Sequence, residues 1–330
     1  MEYTVGVRKL GKKVHVKSPK VAADLLSEIR NSPVEIMTVI PVSKDLEASE
    51  IHTCAIGSMM SVTVEARNVF QDVVSRNEGH GVIIGHNHAF QKKAHPSQGD
   101  REFLSAIKGG GTSIGVQVMD SIVIGLEEYY SFLEHGSLYH KSDEYRAPKG
   151  VVVSRPEGMS DAKFDDSSRV TGPKSAMDAV SFLKKETVPL MTVVHLTPDF
   201  EISRIVVIPE NPSMSSEEEA RLILRGTIES PSTKYFVIVS NAGAFEKRVQ
   251  YSETLSDRIN HIRLGATTLC IPMLDYVMIQ EDKTIYSFSE NGRIFPRSRM
   301  YVSPEFEGLK MKGPSKVKRQ DIPPYSWTVR

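Results

Sequence analysis

The feature that most restricts the fold of this chain of 330 residues is that its sequence repeats. Residues 37–67 align with residues 191–221 without a gap at an offset of 154, and twelve of the 31 aligned positions are identical. The pair Pro19-Lys20 recurs as Pro173-Lys174 at the same offset. A repeat of this length is a duplicated domain rather than a short solenoid unit. The chain is long enough for two such domains, so we predict two tandem copies of one fold.

Composition places the predicted boundaries. We assign residues 1–136 to the first domain and residues 166–306 to the second. Between them, residues 137–165 are rich in proline, glycine and charged side chains, which is typical of a linker. Residues 307–330 form a predicted basic tail with several lysines and a few aromatic residues.

Hydrophobic periodicity in the first copy predicts an α/β domain, with a mixed sheet flanked by helices. Ser18-Pro19 has the N-cap and proline order that begins a helix, which we expect to run to about Asn31. The remaining predicted elements of the first copy are an edge strand within 1–17, strands at 34–42 and 49–57, a helix at 63–76, a strand from 82, a helix from 97 to about 107 stopped by three glycines at 109–111, and strands at 112–119, 121–125 and 129–133.

One strand of the first copy ends in a pattern typical of a metal site. The apolar run Val82–Gly85 leads directly into His86-Asn87-His88. Residues i and i+2 of a strand share a face, so the two imidazoles lie side by side. Asp100 follows on the next predicted helix, three residues after Ser97. Two histidines and one carboxylate with an open fourth position are typical of catalytic zinc, so we predict Zn²⁺ at His86, His88 and Asp100.

The spacing of these residues resembles the JAMM (JAB/MPN) motif of metallohydrolases, and residues 14–136 resemble the RadC branch of that superfamily. The resemblance rests on His86-Asn87-His88, Ser97, Asp100 and the run from Gly115 to Gly125. It implies a cytidine-deaminase-like α+β fold and hydrolysis of peptide or isopeptide bonds by water activated on the metal. It also implies that Ser97 donates a hydrogen bond to the developing oxyanion, while the position of Ser97 independently predicts an N-cap.

The resemblance also implies a glutamate general base upstream of the motif, but His52 stands at the position where the RadC pattern has it. Glu50 lies two residues earlier and on the same face of a regular strand. Three interpretations stay open. Glu50 is the base, His52 replaces it, or the domain binds metal with little hydrolysis and acts as a binding protein for protein or DNA partners.

The second copy lacks the predicted ligands. At an offset of 155 it has Asn241, Gly243 and Leu255 in their places, and a shift by one residue gives Ser240 and Ala242 instead. The joint loss of all three predicts a metal-free domain. The resemblance to JAMM proteins implies that this domain pairs with the first copy as an intramolecular pseudo-dimer.

Charge and cysteine content limit the partners and the compartment. Lysines plus arginines and aspartates plus glutamates number 41 each, so the whole chain has no electrostatic preference for nucleic acid. The resemblance to JAMM proteins implies a protein or peptide substrate as the partner, and the basic tail is the weaker sign of a nucleic-acid contact. Two cysteines, no leader-like start and no long apolar run predict a cytoplasmic protein without a membrane partner.

Overall fold

The computed structural model describes residues 4–75, 80–151, 154–165, 168–211, 213–245, 253–294 and 327–329. The chain divides into two compact units. Unit 1 consists of residues 1–153, 268–270 and 324–330, and unit 2 of residues 154–267 and 271–323.

Unit 1 is built on a six-stranded mixed sheet with the order β1-β3-β2-β5-β6-β7. Its strands are β1 (Gly6–His15), β2 (Ile36–Val42), β3 (Glu47–Ile56), β5 (Gly81–Asn87), β6 (Gln117–Ile124) and β7 (Tyr129–Ser131). Only β5 and β6 run parallel; the other neighbours are antiparallel. A separate short strand, β4 (Val62–Val64), pairs with β14 (Trp327–Val329). β1 lies at the sheet edge, as the sequence predicted.

Three helices flank this sheet: α1 (Pro19–Leu25), α2 (Ala66–Ser75) and α3 (Gln98–Ser113). The side chain of Ser18 caps α1 by accepting from the backbone N–H of Val21, which confirms the predicted start. The apolar side of α1 packs with Leu26, Ile83 and Ile122 in one buried cluster. This cluster fixes the central strands from one side and leaves their other face for the polar residues described below.

Unit 2 has a second six-stranded mixed sheet, with the order β8-β10-β9-β11-β12-β13. Its strands are β8 (Ser160–Asp161), β9 (Leu190–Leu196), β10 (Ile202–Pro209), β11 (Tyr235–Ser240), β12 (Met273–Ile279) and β13 (Ile285–Ser287). Its helices are α4 (Pro173–Ala179), α5 (Ser216–Glu229) and α6 (Glu253–Thr268). Two mixed sheets flanked by helices confirm the predicted α/β class.

A buried aspartate serves the same purpose in both units. In unit 1, Asp120 accepts from the Ser131 hydroxyl at 2.6 Å and from the Leu133 N–H at 3.0 Å. In unit 2, Asp275 accepts from the Ser287 hydroxyl at 2.6 Å and from a backbone N–H at 2.9 Å. Each aspartate therefore ties the strand that carries it to the turn that follows the last strand of its sheet.

Several predicted elements were wrong in their bounds. The helix predicted at 63–76 begins only at Ala66, and Val62–Val64 form the strand β4 instead. The glycines at 109–111 do not stop α3, which continues to Ser113. Close packing explains why Gly111 is tolerated there, because a Cβ at this position would lie 2.5 Å from the carbonyl oxygen of Val116. The two strands predicted at 112–119 and 121–125 are the single strand β6. The helix expected to reach Asn31 ends at Leu25 and is followed by one 3₁₀ turn.

Part of the segment assigned to the linker packs on unit 1. The Tyr145 hydroxyl donates to Asp120 at 2.9 Å, and the Val151 N–H donates to the carbonyl of Gly115 at 2.8 Å. Further along, Ser160–Asp161 form β8. The domain boundaries themselves stay a prediction. Of the basic tail, residues 307–326 lie outside the described residues, and 327–329 form β14.

Candidate metal centre

The end of β5 holds the two histidines of the motif. Every residue of β5 is buried, and the strand lies between β2 and β6 in the middle of the sheet. The N–H of His88 donates to the carbonyl of Ile124 at 3.0 Å, which continues the ladder with β6 by one residue. His86 and His88 therefore project from the same face of the sheet, as the alternation of a strand requires.

The start of α3 supplies the carboxylate. Ser97 is the N-cap, as predicted: its hydroxyl oxygen accepts from the Asp100 N–H at 3.2 Å. In return the Ser97 N–H donates to Asp100 Oδ2 at 2.6 Å. This capping box holds the Asp100 side chain against the helix terminus and so aims its carboxylate at the end of β5.

The three side chains converge within the buried interior. His86 Nε2 lies 3.2 Å from His88 Nε2 and 3.1 Å from Asp100 Oδ1, and His88 Nε2 lies 3.4 Å from Asp100 Oδ2. A tetrahedral zinc site with bonds of about 2.0–2.1 Å places neighbouring ligand atoms roughly 3.3 Å apart. Each histidine is measured here to a different oxygen of the Asp100 carboxylate, and all three separations are close to this ligand spacing. The donor set and its spacing fit a divalent cation.

The electrostatics of the cluster agree with that fit. Burial alone would raise the pKa of Asp100, but the ion pair and hydrogen bond with His86, with the hydrogen bonds from His88 and Ser97, hold it well below its usual range. A metal ligand must be a carboxylate rather than a carboxylic acid. The surroundings of Asp100 thus keep it in the form that binds metal.

Glu35, which the sequence analysis missed, lies beside this cluster. It directly precedes β2, where Met37 pairs with His86 in antiparallel register. Continuing that register places Glu35 opposite His88, and directly opposite residues share a face with Cβ atoms about 4.5–5.5 Å apart. The sequence did contain a signal for Glu35. It is the only charged residue in the buried strand predicted at 34–42, and the second copy has Pro189 at the matching position, 154 residues later.

The carboxyl group of Glu35 is buried, and its Oε2 atom has no hydrogen-bond partner among the described residues. The pKa of this carboxyl group is raised to about 7, mainly by burial. Asp100 also raises the pKa, whereas His88 and the Val62 N–H lower it. The effects of His88 and Asp100 on this pKa agree with the place of Glu35 beside the cluster in the register of β2 and β5. A carboxyl group whose pKa is near neutrality can accept and release a proton at physiological pH.

Glu50 and His52 lie on the same sheet face but away from the cluster. Val39 pairs with His52 on one side and with Ile84 on the other, so His52 is two strands from β5 and level with a residue before the motif. Two strand spacings amount to about 10 Å. The His52 imidazole instead donates to Glu50 Oε1 at 2.7 Å, and its Nδ1 lies 3.6 Å from Asp72 of α2.

Asn87, between the two histidines, joins β5 to the entry of β2. Its Oδ1 accepts from the Ile36 N–H at 2.8 Å, and its Nδ2 donates to the carbonyl of Val34 at 3.0 Å. Both bonds flank Glu35 in sequence. The asparagine amide therefore fixes the spacing between the backbone that carries Glu35 and the backbone that carries the histidines.

Unit 2 has the same asparagine but different neighbours. Asn241 Oδ1 accepts from the Leu190 N–H at 2.6 Å, and its Nδ2 donates to the carbonyl of Val188 at 3.1 Å. Met191 pairs with Ser240 as Met37 pairs with His86. By strand register, therefore, Ser240 and Ala242 occupy the places of His86 and His88. The alternative pairing with Asn241 and Gly243 is wrong, because the asparagine is itself matched by Asn87.

In unit 2, Ser240, which matches His86, belongs to a network of ion pairs and hydrogen bonds. The Ser240 hydroxyl donates to Glu210 Oε1 at 2.8 Å. The Arg258 guanidinium lies 3.5 Å from the other oxygen of Glu210 and 2.6 Å from Glu219 Oε2. Burial raises the pKa of Glu219 to about 7, although Arg258 lowers it. A fixed cation from the protein thus lies among the carboxylates of this site.

A mixed sheet whose central strand ends in two histidines, completed by an aspartate from a helix start, defines a JAB-type domain with a metal-binding triad. Residues 16–137 match the model of the RadC-like JAB domain family.

Curated relatives match the same region. A UPF0758 protein of Rubrobacter xylanophilus is 32% identical over 124 residues, which are 37% of this chain and 53% of the relative. A UPF0758 protein of Chloroflexus aggregans is 30% identical over 122 residues, 37% of this chain and 52% of the relative. One from Thermotoga maritima is 28% identical over 138 residues, 39% of this chain and 61% of the relative. The matched part of the chain thus spans just over half the length of these relatives.

None of the helices within the described residues is both long enough and apolar enough to cross a bilayer. Cys54 and Cys270 are both buried, and neither forms a disulfide.

Proposed function

We propose that unit 1 is a metal-dependent hydrolase of peptide or isopeptide bonds, with Glu35 as its general base. The observation that carries the proposal is the position of a buried carboxyl group, with a pKa near 7, beside a triad whose ligand atoms lie close enough together to hold one metal ion. Structural ion pairs also perturb pKa values, but Glu35 Oε2 has no protein hydrogen-bond partner among the described residues. Its free oxygen is therefore available to a water molecule or a substrate.

Zinc is the cation that this donor set favours. His86 and His88 offer imidazole nitrogens, and Asp100 offers a carboxylate oxygen, which together are typical ligands of catalytic zinc. When bound, zinc lowers the pKa of its water toward about 7 and polarises a carbonyl group.

The residues of the chain divide the remaining work. Glu35 accepts the proton of the attacking water and returns it to the leaving amine. Ser97 Oγ accepts from the Asp100 N–H, so its own proton stays available as a donor to the oxyanion of the tetrahedral intermediate. The capping box orients both Ser97 and Asp100. Asn87 keeps Glu35 and the histidines at a fixed separation.

Glu50 and His52 are not part of this proposal, because they bond to each other two strands from the motif. We assign Glu50 and His52 a structural role between β3 and α2, because the His52 imidazole lies between the carboxylates of Glu50 and Asp72.

We propose that the two units arose by tandem duplication, since they share strand order, the bonds of Asp120 and Asp275, and the bonds of Asn87 and Asn241. Unit 2 has Ser240, Ala242 and Leu255 where unit 1 has its ligands. We therefore propose that unit 2 binds no metal at this position, and that Arg258 provides the positive charge there.

The test compares Glu35→Gln with Glu50→Gln. Glutamine has the shape of glutamate but cannot serve as the base. With zinc content measured by elemental analysis, we expect E35Q to retain the metal and to lose roughly 10²–10⁴-fold in kcat on an internally quenched peptide. E50Q, matched in chemistry but distant from the triad, should stay within about threefold of the wild type.

Full activity in E35Q would remove Glu35 from the reaction. Loss of activity in E50Q with zinc retained would instead return the role of base to the pair Glu50 and His52. If zinc is bound and neither variant differs from an inactive wild-type chain, unit 1 is a binding domain rather than a hydrolase.

A further inference from the structure

We propose that β4 is the edge to which an extended peptide adds, and that residues 327–329 of the chain occupy this edge in competition with the substrate. The inference rests on the proposed function in its substrate class, but not in its binding step. It starts from β14, which lies in unit 1 although it is the last described segment of the chain.

β4 has no strand partner other than β14 among the described residues. It is absent from the six-stranded sheet of unit 1, and its whole pairing is the antiparallel ladder with β14. Val62 and Val64 are buried, and Thr63 between them is exposed. A short strand with a buried side and a partner from a distant part of the sequence is the arrangement of strand addition, in which main-chain hydrogen bonds supply the affinity.

The start of β4 is next to the candidate metal centre. The Val62 N–H contributes a hydrogen bond to the Glu35 carboxyl group. The turn before β4 is fixed to the same residue, because the Glu35 N–H donates to the carbonyl of Ser58 and the Gly57 N–H donates to the carbonyl of Glu35, both at 2.8 Å. A peptide that lies along β4 therefore runs past the general base.

The register defines the direction of that peptide. Trp327 pairs with Val64, Thr328 with Thr63 and Val329 with Val62. The carboxyl side of the added strand is thus at the end of β4 that contacts Glu35. A substrate bound in the same way places the residues before its scissile bond along β4 and its scissile bond beyond Val62.

The turn at this end presents apolar side chains to that part of the substrate. Met59 and Met60 are 57% and 74% exposed, although both are large and apolar. The turn is ordered around Ser58, whose hydroxyl accepts from the N–H groups of Met60 and Ser61, both at 3.2 Å. An ordered turn with two exposed methionines favours a peptide with apolar residues near the scissile bond.

The experiment keeps the full chain and changes only the added strand. Thr328→Pro disfavours pairing of β14, because proline has no backbone N–H and fixes φ near −65°, whereas Thr328→Val keeps the backbone and the β propensity. The probe is a fluorescein-labelled peptide with the sequence of residues 321–330. A tethered segment acts at an effective concentration in the millimolar range, so the wild type should bind the free peptide weakly. We expect T328P to bind it at least about tenfold more tightly than wild type or T328V.

Trp327 gives a second readout, because it is the only tryptophan in the chain. Its steady-state emission anisotropy should be lower in T328P than in the wild type and in T328V, as release of the strand allows local motion. Far-UV circular dichroism checks that all three variants are folded. A labelled peptide that itself carries the T328P change should not bind any of them.

Equal peptide affinity in all variants, with equal Trp327 anisotropy, would overturn the inference. These readouts need neither metal nor hydrolysis, so a negative result in E35Q leaves them intact. On a chain that is active, T328P should lower KM for the internally quenched peptide without a change in kcat, and an unchanged KM would also contradict competition at β4.

Discussion

At the scale of single residues, the side chain of Asn87 connects the strand end that carries the two histidines to the backbone on either side of Glu35. Its amide satisfies one backbone N–H and one backbone carbonyl on either side of Glu35. The bond to Ile36 is buried and the bond to Val34 is partly buried. Loss of the amide therefore leaves two backbone groups unsatisfied, at a cost of about 1–3 kcal/mol for each one that is cut off from water. The same bonds in unit 2 come from Asn241.

We expect Asn87→Ala to lower the free energy of unfolding by about 2–4 kcal/mol and to weaken zinc binding as well. The matched variant Asn241→Ala should destabilise by a similar amount and leave zinc affinity unchanged, because no metal ligand adjoins it. Chemical denaturation and competition with a zinc chelator measure the two effects. Equal zinc affinity in N87A and wild type would show that the hydrogen bonds of the Asn87 amide do not support the candidate metal centre.

The buried His195 should make the free energy of unfolding depend on pH. It is fully buried in β9, where burial and the nearby Arg204 lower its pKa from 6.5 to about 3, with Asp161 opposing. In the folded chain it stays neutral, whereas the unfolded chain takes up a proton below pH 6.5. Unfolding therefore binds a proton, and this contribution to stability is lost as the pH falls from 6.5 toward 3, by up to about 1.4 kcal/mol per pH unit.

His195→Gln removes that proton uptake. The difference in unfolding free energy between wild type and H195Q should therefore shift in favour of H195Q as the pH falls below 6.5 and become constant above it. Urea denaturation followed by circular dichroism at a series of pH values measures this difference. A pH-independent difference would show that His195 titrates normally in the folded chain.

At the scale of elements, the start of α3 combines a structural and a chemical task. Ser97 and Asp100 form the capping box that begins the helix, and the same two residues face the end of β5. The helix then runs through three glycines, each of which disfavours helix by about 1 kcal/mol relative to alanine. A well-anchored N-terminus is therefore important for the placement of Asp100.

Capping by Ser97 and hydrogen bonding to the oxyanion can be distinguished by the size of the effects on stability and on kcat. Ser97→Ala removes the cap and should destabilise by about 1 kcal/mol. If Ser97 also donates to the oxyanion, kcat should fall by about 10²–10³-fold, far more than loss of a cap explains. Ser97→Thr retains a hydroxyl for both tasks and serves as the control. A kcat loss in S97A of less than about threefold would limit Ser97 to capping.

At the scale of the whole molecule, the two units differ at one position of a shared scaffold. Unit 1 has three metal ligands there, and unit 2 has Ser240 within the network of Glu210, Arg258 and Glu219. A cation that binds only the folded form of one unit stabilises that unit alone, by RT ln(1 + [L]/Kd).

We therefore expect one zinc ion per chain, and none in the variant His88→Ala. Zinc at 100 times its Kd should stabilise unit 1 by about 2.7 kcal/mol and leave unit 2 unchanged. Calorimetric unfolding with and without a chelator should then move one of two transitions, while H88A shows no zinc-dependent shift. Two zinc ions per chain, or a shift of both transitions, would contradict a metal-free second unit.

The local pattern of the sequence determined the elements that depend on short-range chemistry. The apolar run Val82–Gly85 followed by His-Asn-His predicted the strand end with both imidazoles on one face. Ser97 with Asp100 three residues later predicted the helix start. Strand alternation and capping involve only neighbours in the chain, so a sequence specifies them directly. The α/β class follows from the same periodicities.

Only the tertiary structure decided which carboxylate adjoins the triad. Glu50 lies in β3 and Glu35 directly precedes β2. The isolated charge of Glu35 in the predicted strand 34–42 was a local signal, but it does not say which carboxylate lies opposite the histidines. The antiparallel register of β2 with β5 places Glu35 opposite His88, while the register of β2 with β3 leaves Glu50 two strands away. Pairing across the sheet, like that of β4 with a segment more than 250 residues later, arises from long-range contacts that no short stretch of sequence encodes.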